Sequence, residues 1–381
     1  MRRVFVLINN TGVGGAERRL GRLFARMADQ DVNTMLVVNA GLWRKLKEAG
    51  VVTGPVKQMW QFVEPLELLT GWMGLQQSRL GFWLRKLDYL LFAGLLLARY
   101  SLAPRCMFHL ALGGPYVALP LMLLRPDHRM VISLMHRNLA GHVGASWALP
   151  IYQIALDRCA VIDALTQGVR EDLVQRGHFD QKITVSPGSV VDLDHYQPDP
   201  KKEHWVVFAG RLIEEKNPLL FLEAVPTILQ AVPGARCFLL GEGPLRPLVE
   251  QALDHMHLRG LVETGFHADL APVLSRARVF VSLQRLDNYP SQSTLEAMAC
   301  GTATVATDVG LTWQLVDETT GVRIKPDPEQ IAQAVISLLK DPERCDRLGQ
   351  AARRRVEERH SEDRYRAYLD ELYRRLGRSE S

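Results

Sequence analysis

No two cysteines of this chain stand at a CxxC spacing. The five present (106, 159, 237, 300 and 345) are odd in number and scattered. Neither a disulfide framework nor a cysteine zinc site fits that pattern, and a reducing cytosol does. Long apolar runs are missing too. Tyr89 to Ala98 and Leu110 to Leu124 are the longest, short of the roughly 20 residues that cross a bilayer. The start, MRRVFVLINNTG, has only five apolar residues after its arginines, which reads as a buried strand and not as a signal peptide. No Walker loop is present. GVGGAE (Gly12–Glu17) lacks the third glycine of a dinucleotide fingerprint, and the next strand ends at Asn39, not at a ribose-binding carboxylate. The D-x-D at Asp192-Leu193-Asp194 lies in a Pro/Asp/Lys-rich stretch.

What is there is an α/β pattern written twice. With 381 residues, 47% apolar and 23% charged, two globular domains are expected. Strands are predicted at Val4–Ile8, Thr34–Val38, Met130–Leu134, Ala160–Ala164 and Ile183–Val185, with helices over Ala16–Ala28 and Glu171–Arg176. SPGSVVDLDHYQPDPKKE (186–203) has no apolar period and reads as an interdomain linker. The pattern then restarts with strands at Trp205–Ala209, Cys237–Leu240, Val279–Leu283 and Thr304–Ala306. Asn217–Pro218 marks a capped helix start, and Pro226 should kink that helix. Ser361–Leu376 reads as an amphipathic helix with Tyr365, Leu369, Leu372 and Leu376 on one face.

Between Val206 and Gly301 three apolar runs each end in glycines and open a helix: VVFAGRLIEEKNP, FLLGEGPLRPL and DNYPSQSTLEAMACG. Such turns aim backbone N–H groups at phosphorylated ligands. Arg211 and Lys216 lie within reach of one diphosphate, whose departure builds negative charge that fixed cations stabilise. A solvated loop beside Glu214 and Glu215 is the plainer reading. Ser293-Thr294-Leu295-Glu296 fits a capping box. In the functional alternative, Glu296 accepts from ribose hydroxyls while the N–H groups around Ser293–Leu295 meet the diphosphate. Gly14-Gly15 is either a tight turn or a close approach of backbone to ligand. His136 follows a predicted strand, where a lone histidine is commonly structural.

Charge is uneven. Residues 41–140 hold twelve Lys/Arg against five Asp/Glu, and four of seven tryptophans (Trp43, Trp60, Trp72, Trp83). That suits an anionic membrane surface, or else core aromatics beside solvated cations. No recognition motif supports nucleic acid.

AGRLIEEKN, GEGPLRPLVEQA, VETGF and LEAMACGTATVATDVG, in this order, resemble the nucleotide-binding half of family 4 retaining glycosyltransferases, as do GGAE and the 186–203 segment. The resemblance is strong over 205–325 and weak over 41–130. It implies a GT-B fold, α/β, with two Rossmann-like doubly wound domains facing across a cleft. The expected division is 1–197 for an acceptor domain and 204–355 for a nucleotide-sugar domain. A helix over 356–381 is expected to cross back. It further implies transfer of a sugar from a UDP- or GDP-sugar with retention; no metal or other cofactor is expected, and the basic, Trp-rich segment 41–140 points to a glycan or lipid-linked glycan of a surface polysaccharide (lipopolysaccharide-type) as acceptor. A cytoplasmic enzyme, peripheral at the inner membrane face, is the matching location. A GT-B-like epimerase and a non-catalytic donor-binding subunit are the alternatives.

By this resemblance Arg211 and Lys216, on the turn that Gly210 opens, grip the donor diphosphate. Glu296 holds the ribose as the second glutamate of an E-x7-E motif. Gly14 and Gly15 lie near the donor phosphates and His136 near the donor sugar. Gly241 and Gly243 shape a structural loop, and the stretch ending at Phe266 contacts the base. The motif's first glutamate is replaced by Asn288, preceded by Asp287. Either Asn288 substitutes by hydrogen bonding, or Asp287 supplies the carboxylate from a shifted loop.

Overall fold

The computed structural model describes residues 3–10, 14–62, 79–100, 102–113, 119–134, 148–178 and 180–378. It divides into two compact units, Met1–Gly188 with Tyr365–Ser381, and Ser189–Arg364.

The first unit alternates strand and helix: β1 (Val4–Ile8), α1 (Gly15–Gln30), β2 (Thr34–Asn39), α2 (Ala40–Glu48), β3 (Met59–Phe62), α3 (Arg79–Tyr100), β4 (Met107–Leu112), α4 (Leu119–Leu124), β5 (Arg129–Leu134), α5 (Ala148–Arg158), β6 (Val161–Ala164), α6 (Gln167–Gln175) and β7 (Ile183–Val185). The described strands pair in parallel in the order β3-β2-β1-β4-β5-β6-β7. Parallel strands are covered on both faces, so they read as unbroken apolar runs. β1 and β4 are buried at every position. The sequence places α6 four residues late. Thr166 caps it, its hydroxyl accepting from the Val169 N–H at 3.3 Å.

The second unit repeats the scheme with β8 (Glu203–Ala209), α7 (Pro218–Ala231), β9 (Arg236–Leu240), α8 (Arg246–His255), β10 (Val262–Gly265), α9 (Ala271–Arg276), β11 (Ala277–Ser282), α10 (Gln292–Ala299), β12 (Ala303–Thr307), β13 (Gly321–Ile324), α11 (Pro328–Lys340) and α12 (Pro342–His360). Its described strands, again parallel, run β10-β9-β8-β11-β12-β13. Phe208, Phe221, Leu239, Val281 and Val335 are among the residues of its core. The strand order reverses between β8 and β11, and ligands of doubly wound sheets bind beyond the carboxyl ends at such a switch point.

Two local expectations change. α7 continues through Pro226, and Asn217 precedes it in the left-handed region (φ 55°) without a side-chain cap. The 186–203 stretch is not a free linker. Ser189, Val190, Val191 and Asp192 are buried, Val191 bridges to Ser361, and Lys202 Nζ donates to the Cys300 carbonyl at 2.7 Å. Its polar letters are turn and anchor residues, and its two valines complete the second unit's core.

α13 (Glu362–Arg378) returns the chain to the first unit. Its Tyr365, Leu369, Leu372 and Tyr373 are buried. Beneath it runs a closed polar chain. Tyr368 Oη donates to Asp163 Oδ1 at 2.6 Å and Ser133 Oγ to Asp163 Oδ2 at 2.7 Å. Having spent its one proton, Ser133 must accept from His109 Nε2 at 2.7 Å, so His109 Nδ1 accepts from Tyr373 Oη at 2.6 Å. Burial holds this imidazole neutral, its pKa pushed down to about 3.

Candidate functional site

The site is built on the switch point of the second unit. β8 ends at Ala209, and the chain turns through Gly210 and Arg211 into a 3-10 turn, Glu214–Lys216. The neighbouring β9 loop supports this turn from below. Leu212 N–H donates to the Glu242 carbonyl at 2.9 Å and Leu245 N–H to that of Leu212 at 3.0 Å. Gly241 (φ 147°) and Gly243 are required there, since a Cβ on either would run into the Gly210 or Leu212 carbonyl. These two glycines therefore act as backbone supports for the Arg211 turn.

Arg211 is exposed and Lys216 only partly so. Among the described residues neither side chain has a hydrogen-bond or ion-pair partner. Burial, with Arg211 nearby, pushes the Lys216 ammonium down to about 8, against a smaller opposing pull from Glu215. A partly desolvated cation without a counter-ion is costly, and an anion arriving beside it and Arg211 removes that cost.

The second wall comes from about 70 residues onward, after β11. Arg285 N–H donates to the Glu215 carbonyl at 2.9 Å, tying this loop to the Lys216 turn. Asp287 Oδ1 accepts from the backbone N–H groups of Tyr289 (3.2 Å) and Leu311 (3.1 Å). Its carboxylate thus clamps two loops together, while Asn288 next to it is exposed.

α10 begins at Gln292, with Ser291 at the N-cap position and no side-chain cap. The capping box expected of Ser293 and Glu296 is therefore absent, because Ser293 already lies inside the helix. Glu296 Oε1 instead accepts from Gln292 Nε2 at 3.1 Å, and Gln292 Oε1 accepts from Ser189 Oγ at 2.6 Å. The N–H groups of Ser293 and Thr294 lie in the first turn of the helix, where no i−4 carbonyl of the helix precedes them. Leu295 differs from its expected role. Its N–H donates to the Ser291 carbonyl at 3.0 Å and its side chain is in the core. Thr294 is buried, its hydroxyl donating to Ser282 at 3.2 Å.

The remaining expected residues lie elsewhere. Phe266 is exposed beyond β10, two strands from β8. Gly14 and Gly15 open α1 in the first unit. Glu17 closes their turn, accepting from Gly14 N–H at 2.9 Å and from Asn10 Nδ2 at 2.6 Å. His136 lies outside the described residues. The Asp192-Leu193-Asp194 stretch is a turn, Asp192 Oδ1 accepting from the N–H groups of Asp194 and His195. Among the described residues no three His, Cys, Asp or Glu side chains are grouped to hold a metal ion.

Sequence reading missed three members of the site's surroundings. Gln292 and Ser189 orient Glu296, and a glutamine four residues before a glutamate on one helix face was the available clue. Trp313, 53% exposed, sits two residues beyond the clamped Leu311.

Residues 203–341 match the family model Glycosyl transferases group 1. The chain is 29% identical over 206 residues to the GDP-mannose-dependent alpha-(1-6)-phosphatidylinositol dimannoside mannosyltransferase of Mycobacterium tuberculosis, covering 50% of this chain and 52% of that protein. It thus spans about half the length of that curated relative. Among solved structures, Anabaena HepE in complex with UDP superposes with a TM-score of 0.74 at 17% identity, over 97% of this chain and 99% of that one. Sucrose-phosphate synthase from Thermosynechococcus elongatus gives 0.74 at 19% identity, over 98% and 99%. The chain accordingly has the GT-B fold, and residues 203–341 of its second unit resemble the Glycosyl transferases group 1 family.

Proposed function

We propose that this chain is a glycosyltransferase that moves a sugar from a nucleoside-diphosphate donor to a hydroxyl of a glycan or lipid-linked glycan. The observation that carries the reading is the cation pair Arg211 and Lys216, held at the switch point on a turn that the Arg285 N–H ties to the loop leading into α10. A diphosphate there meets two cations and the first-turn N–H groups of Ser293 and Thr294. Glu296, oriented by Gln292, accepts from the ribose hydroxyls.

As the glycosyl–phosphate bond breaks, charge grows on the departing phosphate, and Arg211 and Lys216 stabilise it where it grows. The acceptor hydroxyl attacks from the face that the phosphate leaves, and the phosphate takes its proton, so configuration is retained. The protein contributes positioning and fixed charge, without a metal. With Asp287 committed to the N–H groups of Tyr289 and Leu311, Asn288 takes the place of the family's first glutamate by hydrogen bonding to the donor. The relative's printed GDP-mannose dependence and the UDP in HepE both support a nucleoside-diphosphate sugar donor. We place the enzyme in the cytoplasm, peripheral to the membrane, where it builds surface polysaccharide.

Arg211→Ala tests this. Turnover of a UDP- or GDP-sugar should fall about 10²–10³-fold while the thermal midpoint stays at the wild-type value, and unchanged turnover refutes the assignment. The neutral Asn288 also favours a second reading, a subunit that binds donor and does not transfer it. Nucleotide binding by the intact chain without product, across a panel of acceptors, would select that reading.

A further inference from the structure

Of the tryptophans in residues 41–140, Trp43 is buried in the core and Trp60 is only partly exposed, with the Arg99 guanidinium 5.0 Å from its ring centre. Trp72 and the side chain of Trp83 lie outside the described residues. Exposed aromatics are found in the second unit instead. Among the described Phe, Tyr and Trp side chains, Phe266 and Trp313 are the exposed ones, at 60% and 53%. Phe266 follows β10 and Trp313 follows β12. The strand order β10-β9-β8-β11-β12 sets them on opposite flanks of the Arg211 turn, each beyond a strand two places from β8. With about 4.8 Å between neighbouring strands, β12 ends roughly 10 Å along the sheet edge from β8.

Trp313 stands on a rigid support. Gly310 (φ 52°) lies against Asp287, whose side chain a Cβ there would strike, and the Leu311 N–H is held by the same carboxylate. Thr312 Oγ1 donates to the Val309 carbonyl at 2.7 Å, and the Val316 N–H to that of Thr312 at 2.9 Å. Leu315 and Val316 then enter the core. The indole is presented on a turn tied at both ends, so a ligand loses little by ordering it. Leu286, 66% exposed, directly precedes the Asp287 that joins the two loops. The carboxylates on either side of Trp313 in sequence, Asp308 and Asp317, are paired with Arg323 and Arg355, each at 2.7 Å. Neither offers a free charge, which favours a neutral ligand.

We propose that Trp313 is the platform on which a neutral pyranose ring of the acceptor stacks. An indole carries excess electron density on its face, and one face of a pyranose presents polarised C–H groups to it while the rim hydroxyls stay hydrated. The inference rests on the proposed function. A donor with its diphosphate on the β8 turn, hydrogen-bonded to Asn288, carries its sugar over the β11 loop beside Leu286. A pyranose spans about one strand spacing, so the next ring along the edge, the acceptor's, reaches the β12 loop and Trp313. A single exposed leucine is ordinary on a protein surface, whereas packing gives no reason for an exposed indole on a fixed turn in line with the cations. The second unit thereby reads the acceptor's glycan and not only its lipid.

Thermal shift with UDP and with GDP first shows which nucleotide the full chain binds. A microarray of neutral bacterial oligosaccharides is then probed with the chain saturated in that nucleotide, as wild type, Trp313→Ala and Trp313→Phe. Wild type should bind at least one glycan, Trp313→Ala should bind it at least about tenfold less, and Trp313→Phe should keep most of the binding. The nucleotide-induced shift should be the same in all three. Glycan binding that survives in Trp313→Ala overturns the inference and leaves the donor reading standing. So does a wild type that responds to nucleotide and binds no glycan. A Trp313→Ala protein that loses the nucleotide response as well assigns the indole to the donor and also overturns the inference. A wild type that responds to neither nucleotide overturns the proposed function itself, and this inference with it.

Discussion

Replacing Lys216 by methionine should make the unliganded protein more stable and unable to respond to nucleotide. The ammonium is held at about 8 from an ordinary 10.5, chiefly by burial. At about 1.36 kcal/mol per unit, the native state bears a cost of up to about 3 kcal/mol at pH 7. The sign follows from proton counts. Below pH 8 both states are protonated and the whole cost is present. Between 8 and 10.5 the unfolded chain binds more protons than the native one, so stability rises with pH and the cost drains away. At pH 9.5 about 1.4 kcal/mol remains. Methionine fills similar space without the charge, so Lys216→Met should gain about 1–3 kcal/mol at pH 7 and roughly half that at pH 9.5. Urea denaturation at both pH values reads this difference. Saturating UDP or GDP, at a hundredfold excess over Kd, should add about 2.7 kcal/mol to wild type and little to the variant. A variant less stable than wild type at pH 7, or one whose gain is equal at both pH values, would refute the reasoning.

Two further outcomes follow from the packing. Gly241→Ala should cost about 3 kcal/mol or more and disturb the Arg211 turn, because its Cβ has only the Gly210 carbonyl to occupy; thermal denaturation and nucleotide affinity should fall together. Tyr373→Phe strands His109 Nδ1 and should cost about 1–3 kcal/mol, measured by urea denaturation. That loss should be constant from pH 5 to 8, since the imidazole is neutral throughout.

The alternating architecture was legible because parallel strands must be apolar on both faces, so VFVLI and WVVFA announce themselves. The Arg211 turn was legible for a related reason: glycines are confined to places where backbone meets backbone. What failed turned on where a helix starts or on partners distant in sequence. Ser293-Thr294-Leu295-Glu296 matches a capping box letter by letter, yet the helix begins earlier and Gln292 claims Glu296. Asp287 and Asn288 could not be told apart from sequence, because the Leu311 N–H that occupies Asp287 comes 24 residues later. The run YLLFAGLLLA concealed an amphipathic helix, because leucine fills both its buried and its exposed sides. The valines of the 186–203 stretch were hidden among turn residues and find their core only in the folded second unit.

The path of the chain has a consequence for how the protein is made. The first unit needs α13, whose tyrosines satisfy Asp163 and His109, but Ser189–Arg364 is synthesised in between. At roughly 5–20 residues per second, a ribosome spends on the order of 10–35 seconds on those intervening residues. Throughout that interval the nascent first unit holds an acid and an imidazole that have Ser133 but not yet their tyrosine partners. Its completion is therefore a late event in biosynthesis. A ribosome that stalls within α13 releases a chain with a finished second unit and an unsealed first one, a species that folding quality control can distinguish from the chain with α13 in place.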